Sequence, residues 1–231
     1  MTSTDINILS AGAVAPGLKK ISERFQRETH QGVDLEFATA PAILERLRDS
    51  ATIDLVIAPS ALLEHLARDG RISNESRLLL GRVGVGIMVR AGAPAPPIAT
   101  VEELKASLLN ATSVVFNRAS TGTYLENLFE RLGIAPELER KSIRYPDFAA
   151  VLDRVSQGGN GEIGFGATTV IAENSQGRVT FVGTLPVEVQ NYTAYEAAVL
   201  QNGAPSGAAR HFIEYLGSPQ AKSVLTQAGI L

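Results

Sequence analysis

Two loops of small residues, each following an apolar segment, carry the groups best suited to binding an anion. The first loop is Ser10-Ala11-Gly12-Ala13, after Ile6–Leu9, and the second is Asn117-Arg118-Ala119-Ser120-Thr121-Gly122, after Ser113–Phe116. Small side chains let a ligand approach the main chain, and the first N–H groups of a helix have no partner within it. A helical pattern follows each loop, so the sequence predicts two half-sites that bind one anion between them.

Arg118 is the charged side chain of the second loop. A guanidinium can donate two parallel hydrogen bonds to a carboxylate. A cation beside the start of the predicted helix Tyr124–Leu132 opposes the helix dipole, and a bound anion would explain its presence there. The alternatives are a solvent-facing side chain and an ion pair with Glu126 or Glu130 of that helix.

The hydroxyl and small residues of the two loops each allow a second interpretation. Ser120 and Thr121 are either ligand donors or the N-cap of the helix that follows, since both residue types are common caps. The segment Ser10-Ala11-Gly12-Ala13 is either a main-chain cradle for the anion or a tight turn between a strand and a helix. We favour the cradle, because this end of the predicted sheet should face a ligand.

The elements that must position these loops alternate between strand and helix. Strands are predicted at Ile6–Leu9, Val33–Ala38 and Asp54–Ala58, each followed by a helical pattern. This order indicates a parallel sheet covered by helices, and ligands of such sheets bind at the carboxyl ends of the strands. The breaks after the three strands, at Ser10, Thr39-Ala40-Pro41 and Pro59, should therefore share one edge.

Two long extended segments interrupt the alternation and indicate two lobes. Leu78–Val89 and the region Leu185–Tyr195 are expected to cross between the lobes. The predicted boundaries are residues 1–80 plus 196–231 for lobe 1, and residues 81–195 for lobe 2. The fold class is α/β, with two α/β lobes whose mostly parallel sheets are joined by two crossover strands.

Composition excludes several classes of function. The 231 residues carry a net charge of −3, which gives no general attraction to nucleic acid, and no apolar stretch is long enough for membrane insertion. The absence of cysteine removes disulfides and thiolate catalysis. His30, His65 and His211 lack neighbours at metal-ligand spacing, so we expect neither a metal nor a cofactor.

The N-terminal segment suggests where the protein works. Met1–Asp5 has no basic region of the kind that begins an export signal. The sequence as written therefore predicts a cytoplasmic protein, or a periplasmic one if a leader was removed.

The order of several segments resembles type II periplasmic-type solute-binding proteins, most closely the molybdate-binding branch. The segments that carry the resemblance are Ile6–Val14, Val33–Leu47, Ile53–Ala58, Asn117–Gly133, Gly161–Gly166, Tyr195–Leu200 and Tyr215–Ala221. The resemblance implies two lobes that close on an oxyanion held by hydroxyls and main-chain N–H groups. It places ligand contacts at Ala13 and Thr39–Pro41 in lobe 1, and at Thr121, Gly166 and Tyr195.

Three departures from that branch argue against molybdate. Ala13 stands where the branch usually has a serine, and Thr39-Ala40-Pro41-Ala42 replaces a run of serines. Arg118 is added in the second loop. A tetrahedral dianion loses donors here, whereas a planar carboxylate gains a bidentate partner, so the expected ligand is a small organic acid.

Two functions of different classes follow from these observations. The first is a solute-binding protein that closes on a small anion, with an ABC-type permease as its partner if it is exported. The second is a cytosolic isomerase of an unsaturated tricarboxylic acid, because the same branch also resembles aconitate isomerase. Isomerisation needs a base, which the loops do not supply, although Tyr195 could serve if its pKa were lowered.

Overall fold

The computed structural model of the chain describes residues 5–49, 52–175, 177–201 and 207–231. Residues 1–4, on which the expectation about an export signal depends, lie outside the described part. The strands in chain order are β1 (Ile6–Ala11), β2 (Val33–Ala38), β3 (Leu55–Pro59), β4 (Leu78–Arg90), β5 (Ser113–Asn117), β6 (Ser142–Tyr145), β7 (Glu162–Ala167), β8 (Val179–Thr184) and β9 (Tyr192–Val199).

The described residues also form α-helices and three short 3₁₀ turns, the turns at Gly12–Val14, Asn74–Ser76 and Val187–Val189. The helices in chain order are α1 (Ala15–Thr29), α2 (Ala40–Asp49), α3 (Ser60–Arg68), α4 (Val101–Asn110), α5 (Ser120–Arg131), α6 (Ala135–Glu139), α7 (Phe148–Gln157), α8 (Thr168–Asn174), α9 (Gly207–Leu216) and α10 (Pro219–Gln227). None of the described helices is both long and apolar enough to cross a membrane.

The chain folds into two compact units. Unit 1 comprises Met1–Val83 and Thr193–Leu231, and unit 2 comprises Gly84–Tyr192. The chain therefore enters unit 2 within β4 and leaves it at the start of β9. The sequence analysis placed the two exchanges at residues 80/81 and 195/196.

Unit 1 is a sheet in the order β2-β1-β3-β9, covered by helices. β1 runs parallel to β2 and β3, and β9 runs antiparallel to β3. Helix α1 buries Leu18, Ile21 and Phe25, which recur at helical spacing and so lie on one face. The ring of Phe25 meets Phe212 of α9 edge to face at a centroid distance of 5.0 Å.

Unit 2 is a second sheet in the order β4-β7-β5-β6, with β8 paired to β4. β5 runs parallel to β6 and β7, while β4 runs antiparallel to β7 and β8. Phe116 of β5 is completely buried and meets Phe129 of α5 edge to face. The α/β fold predicted from the sequence is confirmed, with parallel pairs at the centre of each unit and antiparallel strands beside them.

Candidate functional site

The predicted loops of unit 1 lie at one edge of its sheet. Ser10 stands opposite Phe37 of β2 and opposite Ile57 of β3, and all three strands run in the same direction. Neighbouring strands lie about 4.8 Å apart. The structure therefore brings the loop Ser10–Ala13 beside the loop Thr39–Pro41, as the alternating pattern predicted.

The donors of this edge are mainly main-chain groups. Ser10 is completely buried, and its hydroxyl donates to the carbonyl oxygen of Ala11 at 3.1 Å. Ala13 and Ala40 carry no polar side chain, which leaves Thr39 as the partly buried hydroxyl of the two loops. A methyl group built on Gly12 would meet nothing within 4 Å, so the main chain borders open space there.

Tyr195 lies at the same edge, because its main chain pairs with Pro59 at the end of β3. The side chain is 7% exposed, and burial raises the pKa of Tyr195 to about 12. The phenol stays protonated at neutral pH, so it can donate a hydrogen bond to an anion. The idea that Tyr195 is a base with a lowered pKa is wrong, because burial disfavours the phenolate.

Sequence reasoning missed a polar group next to Tyr195. Ser60 begins α3 directly after Pro59, and its hydroxyl lies beside the carboxylate of Glu196. Glu196 Oε2 accepts from Arg77 Nε at 2.7 Å. Pro59-Ser60 was recognised only as a break, and the Arg77–Glu196 pair spans 119 positions of the sequence, so no local pattern signals it.

In unit 2, Arg118 begins the loop that leaves β5 beside the end of β6. Its N–H donates to the carbonyl oxygen of Tyr145 at 2.8 Å, and its side chain is exposed. Glu126 Oε1 instead pairs with Arg144 Nε at 2.5 Å. The alternative in which Glu126 pairs with Arg118 is therefore wrong, and the Arg118 guanidinium makes no ion pair with any described residue.

The first turn of α5 keeps its hydroxyls away from the helix. Ala119 is the N-cap, and no side chain caps the helix, so the interpretation of Ser120 or Thr121 as the cap is wrong. Asn117 Oδ1 accepts from the N–H of Ala119 at 3.1 Å, which folds the loop back on the end of β5. The N–H groups of Ser120 and Thr121 come too early to find acceptors within the helix.

Gly122 explains how the helix packs so closely on β5. A methyl group at this position would lie 1.7 Å from the carbonyl oxygen of Asn117. Only glycine allows that approach, and the approach fixes the position of Arg118–Thr121 relative to the sheet.

Several helices at these edges begin without a side-chain cap. No side chain caps the helices that follow β1, β3, β5 and β7, which are α1, α3, α5 and α8. The short helix α6, which lies elsewhere, also has no side-chain cap. Thr100 and Ser218 cap α4 and α10, and Asp147 caps α7, which follows β6 at the same end of the unit 2 sheet as α5. Missing caps leave first-turn donors available to an anion.

Gly166 lies in β7, at the same end of the unit 2 sheet as the loop after β5. A methyl group there would approach the ring of Phe148 to 2.3 Å, so this residue can offer a ligand only its main chain. Thr168, which begins α8 two residues later, was missed. The segment Gly-Ala-Thr-Thr at the end of a short strand is the sequence pattern that could have indicated a hydroxyl at this helix start. No cluster of three or more acidic or histidine side chains able to hold a metal occurs among the described residues.

Comparison with known proteins gives consistent similarities across the chain. Residues 6–231 match the sequence profile of the family described as bacterial extracellular solute-binding protein. The chain is 27% identical over 235 residues to an aconitate isomerase of a Pseudomonas species, covering 98% of this chain and 87% of that protein.

Solved structures show the same fold at low sequence identity. The periplasmic molybdate-binding protein of Azotobacter vinelandii has a TM-score of 0.81 at 14% identity, covering 98% of this chain and 99% of that one. PEB3 of Campylobacter jejuni bound to L-phospholactate has a TM-score of 0.75 at 15% identity, covering 97% and 98% of the two chains.

Proposed function

The chain belongs to the family of bacterial extracellular solute-binding proteins, and from this membership we propose that it binds a small organic carboxylate. The candidate contacts lie at the strand-end edge of the sheet in each unit. Unit 1 would contribute main-chain N–H groups near Gly12, the Thr39 hydroxyl and the Tyr195 phenol. Unit 2 would contribute Arg118, Ser120, Thr121 and the main chain at Gly166, whereas the N–H of Ala119 already donates to Asn117 Oδ1.

The observation that carries this proposal is the unpaired guanidinium of Arg118. Its side chain is exposed beside a helix start without a side-chain cap, while the nearest acidic residue of that helix, Glu126, pairs with Arg144. A cation at a helix N-terminus is unfavourable unless an anion offsets it. A planar carboxylate can accept two parallel hydrogen bonds from a guanidinium. The loops Ser10–Ala13 and Thr39–Pro41 hold few hydroxyls for a tetrahedral oxyanion, which favours a carboxylate.

Calorimetric titration with a panel of ligands tests the proposal. The panel contains malate, succinate, citrate, tricarballylate, cis-aconitate and trans-aconitate, together with molybdate and sulfate. We expect at least one carboxylate to bind and the inorganic oxyanions to bind weakly or not at all. Tight binding of molybdate with no binding of carboxylates would contradict the proposal.

Arg118→Ala should weaken carboxylate binding by about 10–100-fold, because a hydrogen bond to a charged group contributes about 1.5–3 kcal/mol. Arg140→Ala is the matched control, since Arg140 is an exposed arginine of the same unit at the end of α6. An equal effect of both variants would mean that general charge, not a contact of Arg118, holds the ligand.

A second function, isomerisation of an unsaturated carboxylic acid, is favoured by the aconitate isomerase relative. Arg118 and the first-turn N–H groups of α5 would then stabilise the enolate that forms when a proton leaves carbon. Tyr195 cannot be the base at neutral pH, because its pKa is raised to about 12.

Ultraviolet absorbance of cis-aconitate and trans-aconitate distinguishes the two functions. An isomerase would interconvert the two isomers, and Arg118→Ala would abolish the change. A solute receptor would bind without turnover, and its partner would be an ABC-type permease.

A further inference from the structure

The hydroxyl of Ser60 lies beside two hydrogen-bond acceptors. Its Oγ can donate to the carbonyl oxygen of Ala194 at 3.4 Å, and the carboxylate of Glu196 is a second acceptor beside it. A serine hydroxyl has one hydrogen and two lone pairs. Because either neighbour takes that hydrogen, the oxygen can offer a ligand only an acceptor.

An ion pair keeps the side chain of Glu196 ionised, so that its oxygens accept hydrogen bonds. Glu196 Oε2 accepts from Arg77 Nε at 2.7 Å, and the side chains of Glu196 and Arg77 are only 14% and 22% exposed. Burial alone would raise the pKa of Glu196, but the hydrogen bonds from Arg77 and Ser60 outweigh it and lower the pKa. Glu196 therefore cannot return a proton to Ser60, and Arg77 cancels its charge locally.

Ser60 lies at the proposed binding edge of unit 1. It directly follows Pro59, the last residue of β3, and β3 runs parallel to β1 with Ile57 opposite Ser10. The main chain of Tyr195 pairs with Pro59, and Tyr195 is buried, with 7% of its surface exposed. The end of β3 thus combines a buried phenol donor with a hydroxyl restricted to accepting.

We propose that the ligand is a hydroxycarboxylate whose own hydroxyl donates a hydrogen bond to Ser60 Oγ. This inference rests on the proposed binding of a carboxylate at the same edge. Ser60 sets the preference for a ligand hydroxyl, and Glu196 is the positioning residue that holds the Ser60 hydrogen. An ammonium group is the competing donor, but Arg77 neutralises the carboxylate that would attract it.

Three ligands with the same four-carbon dicarboxylate skeleton test the inference in wild-type protein. Malate carries a hydroxyl, aspartate an ammonium group, and succinate neither. We expect malate to bind about tenfold more tightly than succinate, because one hydrogen bond from the malate hydroxyl to Ser60 Oγ contributes a difference of this size. Malate should also bind more tightly than aspartate. Citrate against its deoxy analogue tricarballylate repeats the comparison on a six-carbon skeleton.

Ser60→Ala should lower the affinity for malate to that for succinate and leave succinate unchanged. Ser156→Ala is the control, because its hydroxyl donates to the carbonyl oxygen of Asp153 on the exposed face of α7. Glu196→Gln supplies an amide that can donate to Ser60. The amide then occupies a lone pair of the Ser60 oxygen that the ligand hydroxyl would otherwise use, and the preference for malate over succinate should shrink.

The outcomes separate this inference from the proposed function. If carboxylates bind but neither hydroxylated ligand exceeds its deoxy analogue, the role of Ser60 is overturned while the carboxylate site stands. Tighter binding of aspartate than malate, or of aconitate than any hydroxylated ligand, would also overturn it. If no carboxylate binds, the proposed function itself has failed.

Discussion

Gly12 and Gly122 occupy corresponding loops but differ in what surrounds them. A methyl group on Gly12 would meet nothing within 4 Å, whereas one on Gly122 would lie 1.7 Å from the Asn117 carbonyl oxygen. We expect Gly12→Ala to leave the melting temperature unchanged and to weaken carboxylate binding, because the methyl group enters the space proposed for the ligand. Thermal melting and calorimetric titration of the same sample measure both effects.

Gly122→Ala should instead destabilise the fold by about 1–3 kcal/mol, since the main chain must shift to relieve the overlap. For a chain of this length, that corresponds to roughly 5 °C in melting temperature. Wild-type stability of Gly122→Ala, or unchanged affinity of Gly12→Ala, would show that the described packing or the ligand position is incorrect.

At the residue scale, the prediction from sequence succeeded where the strand–helix alternation places loops at the same ends of parallel strands. Residues Ser10–Ala13 and Thr39–Pro41 share an edge, as the strand pattern indicated. The polar partners of Ser60 were not predictable, because Arg77 and Glu196 meet only after the sheet forms. Nor can sequence reveal that the Ser10 hydroxyl is turned toward its own loop or that Tyr195 is buried.

At the scale of elements, a side-chain amide joins β4 to the segment that leads into β9. Gln190 Oε1 accepts from the N–H of Val85 at 2.9 Å, and Gln190 Nε2 donates to the carbonyl oxygen of Val85 at 3.0 Å. Gln190→Ala should cost about 1–3 kcal/mol, because it removes partners of partly buried main-chain groups. Urea denaturation measures the loss, with the exposed Gln227→Ala of α10 as the control.

The Arg77–Glu196 pair joins the residue before β4 to β9 and makes stability depend on pH. The folded-state pKa of Glu196 is lowered, so its stabilisation is present above the ordinary value of 4.5 and is lost as pH falls through the folded-state value. The stability gap between wild type and Glu196→Gln should therefore shrink between pH 7 and about pH 3. Denaturant unfolding at several pH values checks this, and a constant gap would contradict it.

Element types were predictable because strand and helix periodicities differ strongly in this chain. The strand–helix alternation of unit 1 and the crossing at β4 follow from apolar patterns and from glycine and proline breaks. Capping was harder to predict: Ser120 and Thr121 match the residue preferences of an N-cap, yet the cap is Ala119. The carbonyl oxygen of Asn117, packed against Gly122, sets where the helix begins.

At the scale of the whole molecule, the chain divides its proposed donors between two compact units. Family membership supports solute binding, and the uncapped starts of α1 and α5 support an anion as the solute. Each edge offers a donor that the other lacks among the described residues, since the loops Ser10–Ala13 and Thr39–Pro41 of unit 1 carry no cation and the tyrosines of unit 2 are less buried than Tyr195. We therefore expect both edges to be required for tight binding.

Hydrogen–deuterium exchange, with and without the panel carboxylate that binds most tightly, tests this claim most directly. We predict that the ligand slows exchange in Gly12–Val14 and in Ser120–Gly122 together, while the capped starts of α4 and α10 do not change. Protection confined to one of the two segments, or found in neither, would contradict the claim that both edges hold one carboxylate.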